Sequence, residues 1–163
     1  MNKGWFVEQL KDHLRASVAV ARREGTAAAI EARDGASPSE KTVDARVALE
    51  YANLARAQIR RADQQSEELA ALEKFRPQPL PARAPVSVGA VVEVDDGTEG
   101  RTLFLAPVGA GVELTMPDGD GFLTVVTPAS PLGRAVIGRK VGDTVEVSAA
   151  KGEPREWTLT YVG

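Results

Sequence analysis

Residues 130–147 read SPLGRAVIGRKVGDTVEV, and this stretch alternates between two kinds of structure within eighteen positions. Ser130-Pro131 is a helix start. A serine side chain accepts from the free N–H groups of a first turn, and proline suits the first helical position. Leu132, Ala135 and Val136 follow at helical spacing, and Gly138 is the stop. Arg139 and Lys140 fall at the C-terminal end, where the helix dipole favours cations. Gly142-Asp143 is a turn, and Thr144, Val145, Glu146 and Val147 alternate as a half-buried strand. A short helix set between strands predicts an α+β domain.

Working outward, residues 156–162 predict the last strand, with Trp157, Leu159 and Tyr161 on one face. Upstream, VSVGAVVEV (86–94), RTLFLAPV (101–108), GVELTM (111–116) and GFLTVV (121–126) are short runs with alternating apolar positions. Asp95-Asp96-Gly97, Gly109-Ala110-Gly111 and Asp118-Gly119-Asp120-Gly121 supply turns between them. Residues 86–163 therefore predict a small antiparallel sheet carrying one short helix. Residues 77–85 hold Pro77, Pro79, Pro81 and Pro85 and predict an extended, semi-stiff linker.

Residues 1–76 have a different period. Phe6, Leu10, Leu14, Val18 and Ala21 recur at three-to-four spacing and predict a helix over 3–33, with Asn2 as N-cap. Gly25 is a weak point, costing about 1 kcal/mol against alanine. Asp34-Gly35 is a turn dipeptide, and Ser37 before Pro38 is pushed away from helical geometry. A second helix is predicted from near Ser39 to about Phe75. Its stripe is Val47, Tyr51, Leu54, Ala55, Ala62, Leu69 and Leu72, interrupted by Gln58 and Gln65. Two such helices joined by a short loop form an antiparallel αα-hairpin, a coiled coil. At 1.5 Å per residue it would project roughly 45–50 Å.

Composition narrows the functional classes. The 163 residues carry a formal net charge of −3, which argues against the strong positive field of a direct nucleic-acid binder. There is no cysteine, hence no thiol nucleophile, disulfide or cysteine zinc site. No apolar run approaches the length of a membrane span, and MNKGWFVEQLKDHL, amphipathic and charged, is not expected to be a signal peptide. The expectation is a cytoplasmic monomer without membrane contact.

The 130–147 segment resembles the C-terminal domain of the GreA/GreB family of bacterial transcription elongation factors. That family carries a segment of the form S-P-[LI]-[GA]-[RK]-A-[LI]-[LI]-G-[KR]-x-x-G-D followed by a strand of the V-E-V type. The resemblance implies an N-terminal coiled coil (1–76), a linker (77–85) and a C-terminal domain (86–163) with an FKBP-like fold. It implies RNA polymerase as partner, with docking of the C-terminal domain at the rim of the secondary channel. Pro131, Leu132, Gly133 and Arg134 are then the candidates for the polymerase-facing corner. In the family, acids at the hairpin tip help hold a catalytic magnesium ion of the polymerase and stimulate cleavage of backtracked RNA. The factor itself is not an enzyme and has no cofactor of its own; contact with RNA would be indirect.

The tip departs from the family form G-D-x-x-E-N. Here it reads Gly35-Ala36-Ser37-Pro38-Ser39-Glu40-Lys41. Glu40 matches the family glutamate after one inserted residue, the aspartate is absent, and Lys41 replaces the asparagine. Asp34 and Asp44 flank the loop, so Asp34, Glu40 and Asp44 are the candidate acids. A carboxylate pair is suited to a hard divalent cation. Glu40 following Ser39 also fits a helix N-terminus, where carboxylates are favoured. Leu49-Glu50 and Leu54-Ala55-x-x-Gln58 look like a divergent Gre-like branch.

Other candidates are weaker. His13, the only histidine, reads as a solvated helix residue. Ser130 has no histidine near it for a triad and reads as a cap. Arg22-Arg23 and Arg60-Arg61 are basic spots, and Asp118 and Asp120 read as a hairpin turn. Three further functions compete: a Gre-like regulator that occupies the channel without stimulating cleavage, a peptidyl-prolyl isomerase, and a generic hairpin adaptor. The isomerase reading needs an aromatic pocket, and only Phe104, Phe122, Trp157 and Tyr161 follow residue 85.

Overall fold

A computed structural model describes residues 2–34, 43–148 and 152–163. Two helices, α1 (Lys3–Asp34) and α2 (Val43–Lys74), precede six strands, none longer than eight residues, and one short helix. The order is β1 (Val91–Asp95), β2 (Gly100–Leu105), β3 (Glu113–Thr115), β4 (Phe122–Val126), α3 (Pro131–Val136), β5 (Thr144–Val147) and β6 (Arg155–Val162), six strands in all. The α+β class and the order of elements agree with the sequence reading. The chain divides into two compact units, 1–11 with 71–163, and 12–70. The divisions fall inside α1 and α2 rather than at the change from helix to strand.

In the first unit the six strands form one sheet in the order β3-β4-β2-β1-β6-β5. The expectation of a purely antiparallel sheet is corrected: β2 and β4 run parallel, Leu103 opposite Thr124 and Leu105 opposite Val126. The reason is topological. β3 and β4 form a hairpin, and it is the second arm, not the first, that adds to β2. The residues between β2 and β4 therefore act as the crossover that a parallel pair requires.

Alternation assigns both faces of the sheet. Val92, Val94, Leu103, Leu105, Val126, Val145, Trp157 and Leu159 form one core with Val136 of α3, and Leu132 and Leu80 pack against it. Leu80 lies in the proline-rich stretch, so residues 77–85, which carry no helix or strand, are held at that point rather than free. Val91, Phe104, Leu123 and Val125 occupy the opposite face and are also buried. The first turns of α1 cover them: Phe6 meets Phe104 with ring centroids 5.7 Å apart. The Gln9 side chain both donates to the Thr115 carbonyl (2.9 Å) and accepts from the Thr115 N–H (3.1 Å).

Tyr161 leaves the face expected for it. The pairing of β1 with β6 shifts between Glu93 and Val94, so Val94 lies opposite Leu159 while Glu93 lies opposite Tyr161. Thr160 is the extra residue of a β-bulge, which reverses the alternation beyond it. Trp157 and Leu159 are buried, and Tyr161 is turned to solvent.

In the 12–70 unit the helices run antiparallel. Gln65 donates to Ser17 (2.8 Å), and Gly25 lies against Gln58 and Ile59. The α1 stripe is as expected, with Leu14, Val18 and Ala21 buried. On α2 the seam is Ala55 and Ala62, whereas Val47, Tyr51 and Leu54 are exposed. Gly25 faces this seam. A Cβ at this position would come within 3.3 Å of Ile59 Cγ1 and 3.6 Å of the Ala55 carbonyl oxygen. Small residues Ala21, Gly25 and Ala28 let the helices approach closely, and that closeness leaves no room for Tyr51 or Leu54 between them.

Candidate functional site

The corner at the start of α3 is built from backbone demands. Ser130 is the N-cap, in extended conformation (φ −71°, ψ 151°), and its Oγ accepts from the Gly133 N–H at 3.2 Å. The same Oγ accepts from the Thr127 N–H (3.1 Å) and donates to the Thr127 carbonyl (2.8 Å). One hydroxyl thus ties the loop after β4 to the first turn of the helix. Pro131 occupies the first helical position, and Gly138 follows the helix with φ +77°. The cap and stop read from the sequence are both in place.

The four corner residues divide by exposure. Pro131 and Arg134 are exposed, Leu132 is half-buried, and Gly133 is buried. A Cβ on Gly133 would overlap the Thr127 carbonyl oxygen and crowd Ser130 Oγ. The close approach that this glycine permits is internal to the domain, and its contribution to any surface is indirect. Leu132 packs against the sheet core. Pro131 and Arg134 are the members of the set that a partner can touch, and Arg134 forms no ion pair among the described residues.

Beside the corner lies a groove of about 860 Å³, lined by Pro131, Leu132, Val126, Trp157, Arg101 and Arg155 among others. Trp157 forms part of its wall and is 4 % exposed. The Arg101 guanidinium lies over this ring, 5.1 Å from the centroid, a favourable cation–π geometry. Glu99 holds Arg101 through Nε at 2.9 Å. Arg155 lies 3.5 Å from Asp96 and 3.6 Å from Glu99. Of the four aromatic residues after position 85, Trp157 alone lines the groove. Phe104 is on the opposite face of the sheet, Phe122 is 64 % exposed, and Tyr161 is turned outward.

Asp96 organises this charged edge, although the sequence reading took it only as part of a turn. Its Oδ1 accepts from the Thr98 hydroxyl (2.7 Å), the Thr98 N–H (2.9 Å) and the Glu99 N–H (2.8 Å). These bonds, led by the Thr98 hydroxyl and assisted by Arg155, push its carboxyl down to about 2. The signal was the Asp-x-Thr spacing, which favours a side-chain-closed turn.

The candidate acids of the hairpin are not brought together by described geometry. Asp34 is the last residue of α1, exposed and paired with Arg33 at 3.2 Å. Glu40 lies outside the described residues. Asp44 falls in the first turn of α2. Among the described residues no group of three or more acids or histidines forms a metal site. His13 is exposed. Asp118 and Asp120 lie in the β3–β4 hairpin turn, closed by Met116 N–H to the Gly121 carbonyl. Arg22, Arg23, Arg60 and Arg61 are all exposed, and the antiparallel register sets the two pairs at one level of the 12–70 unit.

The family model described as "Transcription elongation factor, GreA/GreB, C-term" matches residues 82–163. Among curated proteins none matches. Similar solved structures include GreA factor homolog 1 of Thermus thermophilus, 21 % identical over 94 % of this chain and 94 % of that one, with a TM-score of 0.39. The Thermus aquaticus Gfh1 structure is 18 % identical over 95 % and 92 % of the two chains, with a TM-score of 0.37. The transcription elongation factor GreA/GreB from Nitrosomonas europaea is 22 % identical over 62 % and 78 %, also with a TM-score of 0.37.

Proposed function

We propose that this chain, which belongs to the GreA/GreB transcription elongation factor family, binds RNA polymerase at the secondary channel and modulates elongation. The observation that carries the proposal is the family match over residues 82–163, which includes the whole Ser130–Arg134 corner. Docking falls to Pro131 and Arg134, with the adjoining groove receiving an apolar part of the polymerase. Exposed Pro131 and half-buried Leu132 offer contact area, while Arg134 supplies an exposed charge on α3. Such a charge acts mainly on the rate and orientation of encounter.

The chain is an accessory to the polymerase active centre and not an enzyme. Asp34, Glu40 and Asp44 are the acids it offers at the loop between the helices. A magnesium ion there would belong to the polymerase. Ser37 stands roughly where the family has an aspartate, and a neutral hydroxyl holds a divalent cation poorly. Channel occupancy is therefore the main effect, with weak or no stimulation of RNA cleavage.

The test is transcript cleavage on stalled elongation complexes, with and without the protein, alongside the elongation rate. Altered elongation with little cleavage is expected. Strong cleavage that persists in the Glu40→Ala, Asp44→Ala double variant would overturn the reading of the tip. No effect on either quantity would overturn the function.

A further inference from the structure

One flank of the 12–70 unit carries a groove that neither the docking corner nor the loop acids use. Its volume is about 250 Å³, and it runs between Ala27 and Ala28 of α1 and Tyr51 and Leu54 of α2. Glu24 and Glu31 stand on its α1 side, and Gln58 closes part of the α2 side. Both rows keep helical spacing. Val20, Glu24, Ala27 and Glu31 share one face of α1, and Val47, Tyr51, Leu54 and Gln58 share one face of α2. The apolar members are conspicuously open: Val20 and Val47 are each 41 % exposed, Tyr51 37 % and Leu54 47 %.

The groove follows from the close helix contact. Gly25 and Ala28 draw the helices together, so the larger side chains that continue the α2 stripe are set on the flank. The apolar lining of the groove is Ala27, Ala28, Tyr51 and Leu54, bounded by Glu24, Glu31 and Gln58.

We propose that this groove seats a third helix: an amphipathic α-helix of a partner protein, apolar toward Leu54 and Ala27 and basic toward Glu24 and Glu31. The shape is that of helix-in-groove recognition, with apolar anchors at three-to-four spacing. Charge selects the occupant. Glu24 and Glu31 are exposed and form no ion pair among the described residues. They are two helical turns apart, about 10.5 Å, so a helix laid along them meets both with lysines or arginines at matching spacing. Two copies packed groove to groove would instead gather both copies' carboxylates in one interface. Gln58 adds a polar requirement. Its Oε1 is buried without a hydrogen-bond partner, and an unpaired buried carbonyl is costly. Rotation of the terminal amide turns that oxygen toward a donor on the incoming helix. The proposal does not depend on the polymerase-docking reading of the other unit.

The probe is a synthetic amphipathic helical peptide with a leucine stripe and lysines seven residues apart, compared with the same peptide carrying glutamates at those positions. Titration into the isotope-labelled full chain, followed by amide chemical shifts, locates and measures binding. The lysine peptide should shift Ala27, Leu54 and Tyr51 and bind about tenfold more tightly than the glutamate peptide. The Glu24→Lys, Glu31→Lys double variant should invert that order, and Leu54→Asp should abolish binding of both. Equal affinities, an uninverted order, or shifts confined to other residues would overturn the proposal. So would concentration-dependent self-association in sedimentation that Leu54→Asp removes, which would assign the groove to a second copy.

Discussion

Phe6 and Phe104 lie with their ring planes tilted by 43° and their centroids 5.7 Å apart, and neither is exposed at all. They join the first turns of α1 to the central strand β2, across almost a hundred residues of chain. The contact completes the second face of the sheet, which α3 leaves uncovered. Phe6→Ala should therefore destabilise the whole 1–11 and 71–163 unit by about 3–5 kcal/mol. Hydrogen exchange at Phe104 and Val125 should accelerate together with a lowered melting temperature. Unchanged exchange in β2 would show that the helix only rests on the sheet.

Gly133 gives a steric prediction. Alanine there meets the Thr127 carbonyl, so Gly133→Ala should cost about 1–3 kcal/mol as an overpacked site. Ser130→Ala removes the cap and should cost about 1 kcal/mol. Chemical denaturation of the two variants checks both values. A fully stable Gly133→Ala protein would mean that the corner yields where the geometry says it cannot.

Asp96 gives a pH prediction. Its carboxyl titrates at about 2 when folded, against an ordinary value of 3.8. A carboxyl lowered by folding stabilises the native state above its unfolded value and loses that contribution as pH falls through its folded value. The contribution is thus lost between about pH 4 and pH 2. Thr98→Val removes the hydroxyl that is the largest cause, and should flatten the dependence of the urea midpoint over this window. An identical slope in wild type and variant would assign the acid sensitivity to other groups.

The seam between α1 and α2 gives a prediction of opposite sign. Gln65 donates to Ser17, yet its Oε1 is buried without a partner. Ser17→Ala strands the amide and should lower stability by about 1–2 kcal/mol. Replacing both polar groups, Ser17→Ala with Gln65→Leu, removes the unpaired carbonyl and should raise the melting temperature above that of the wild type. A double variant less stable than Ser17→Ala alone would contradict this account of the seam.

What the sequence made legible was governed by short-range chemistry. The Ser130 cap, the Gly138 stop, the α1 stripe from Phe6 to Ala21 and the β5 alternation each depend on neighbours within a few residues. The parallel pairing of β2 with β4 was not legible, because a strand's own pattern does not name its partner. Tyr161 was misplaced because a single bulged residue, Thr160, inverts everything after it, and no local signal marks a bulge opposite Glu93 and Val94. On α2 the expected stripe held Ala55 and Ala62, which do form the seam, together with Val47, Tyr51 and Leu54, which are exposed. Closeness to Gly25, a feature of the partner helix, decided that choice. Of the candidate corner, the motif groups Pro131 to Arg134, but it does not reveal the burial of Gly133 against Thr127. Of the loop acids, Glu40 lies outside the described residues.

The central claim, that this member of the GreA/GreB family docks on RNA polymerase through the α3 corner, is tested most directly by a binding titration. Fluorescently labelled full-length chain is titrated with core RNA polymerase, in parallel for the wild type and Arg134→Glu. Saturable binding by the wild type is expected. Arg134→Glu should weaken it roughly tenfold through charge reversal on α3, with a melting temperature equal to that of the wild type because Arg134 is exposed. Equal affinities of the two proteins would remove Arg134 from the interface, and failure of the wild type to bind at all would contradict the account.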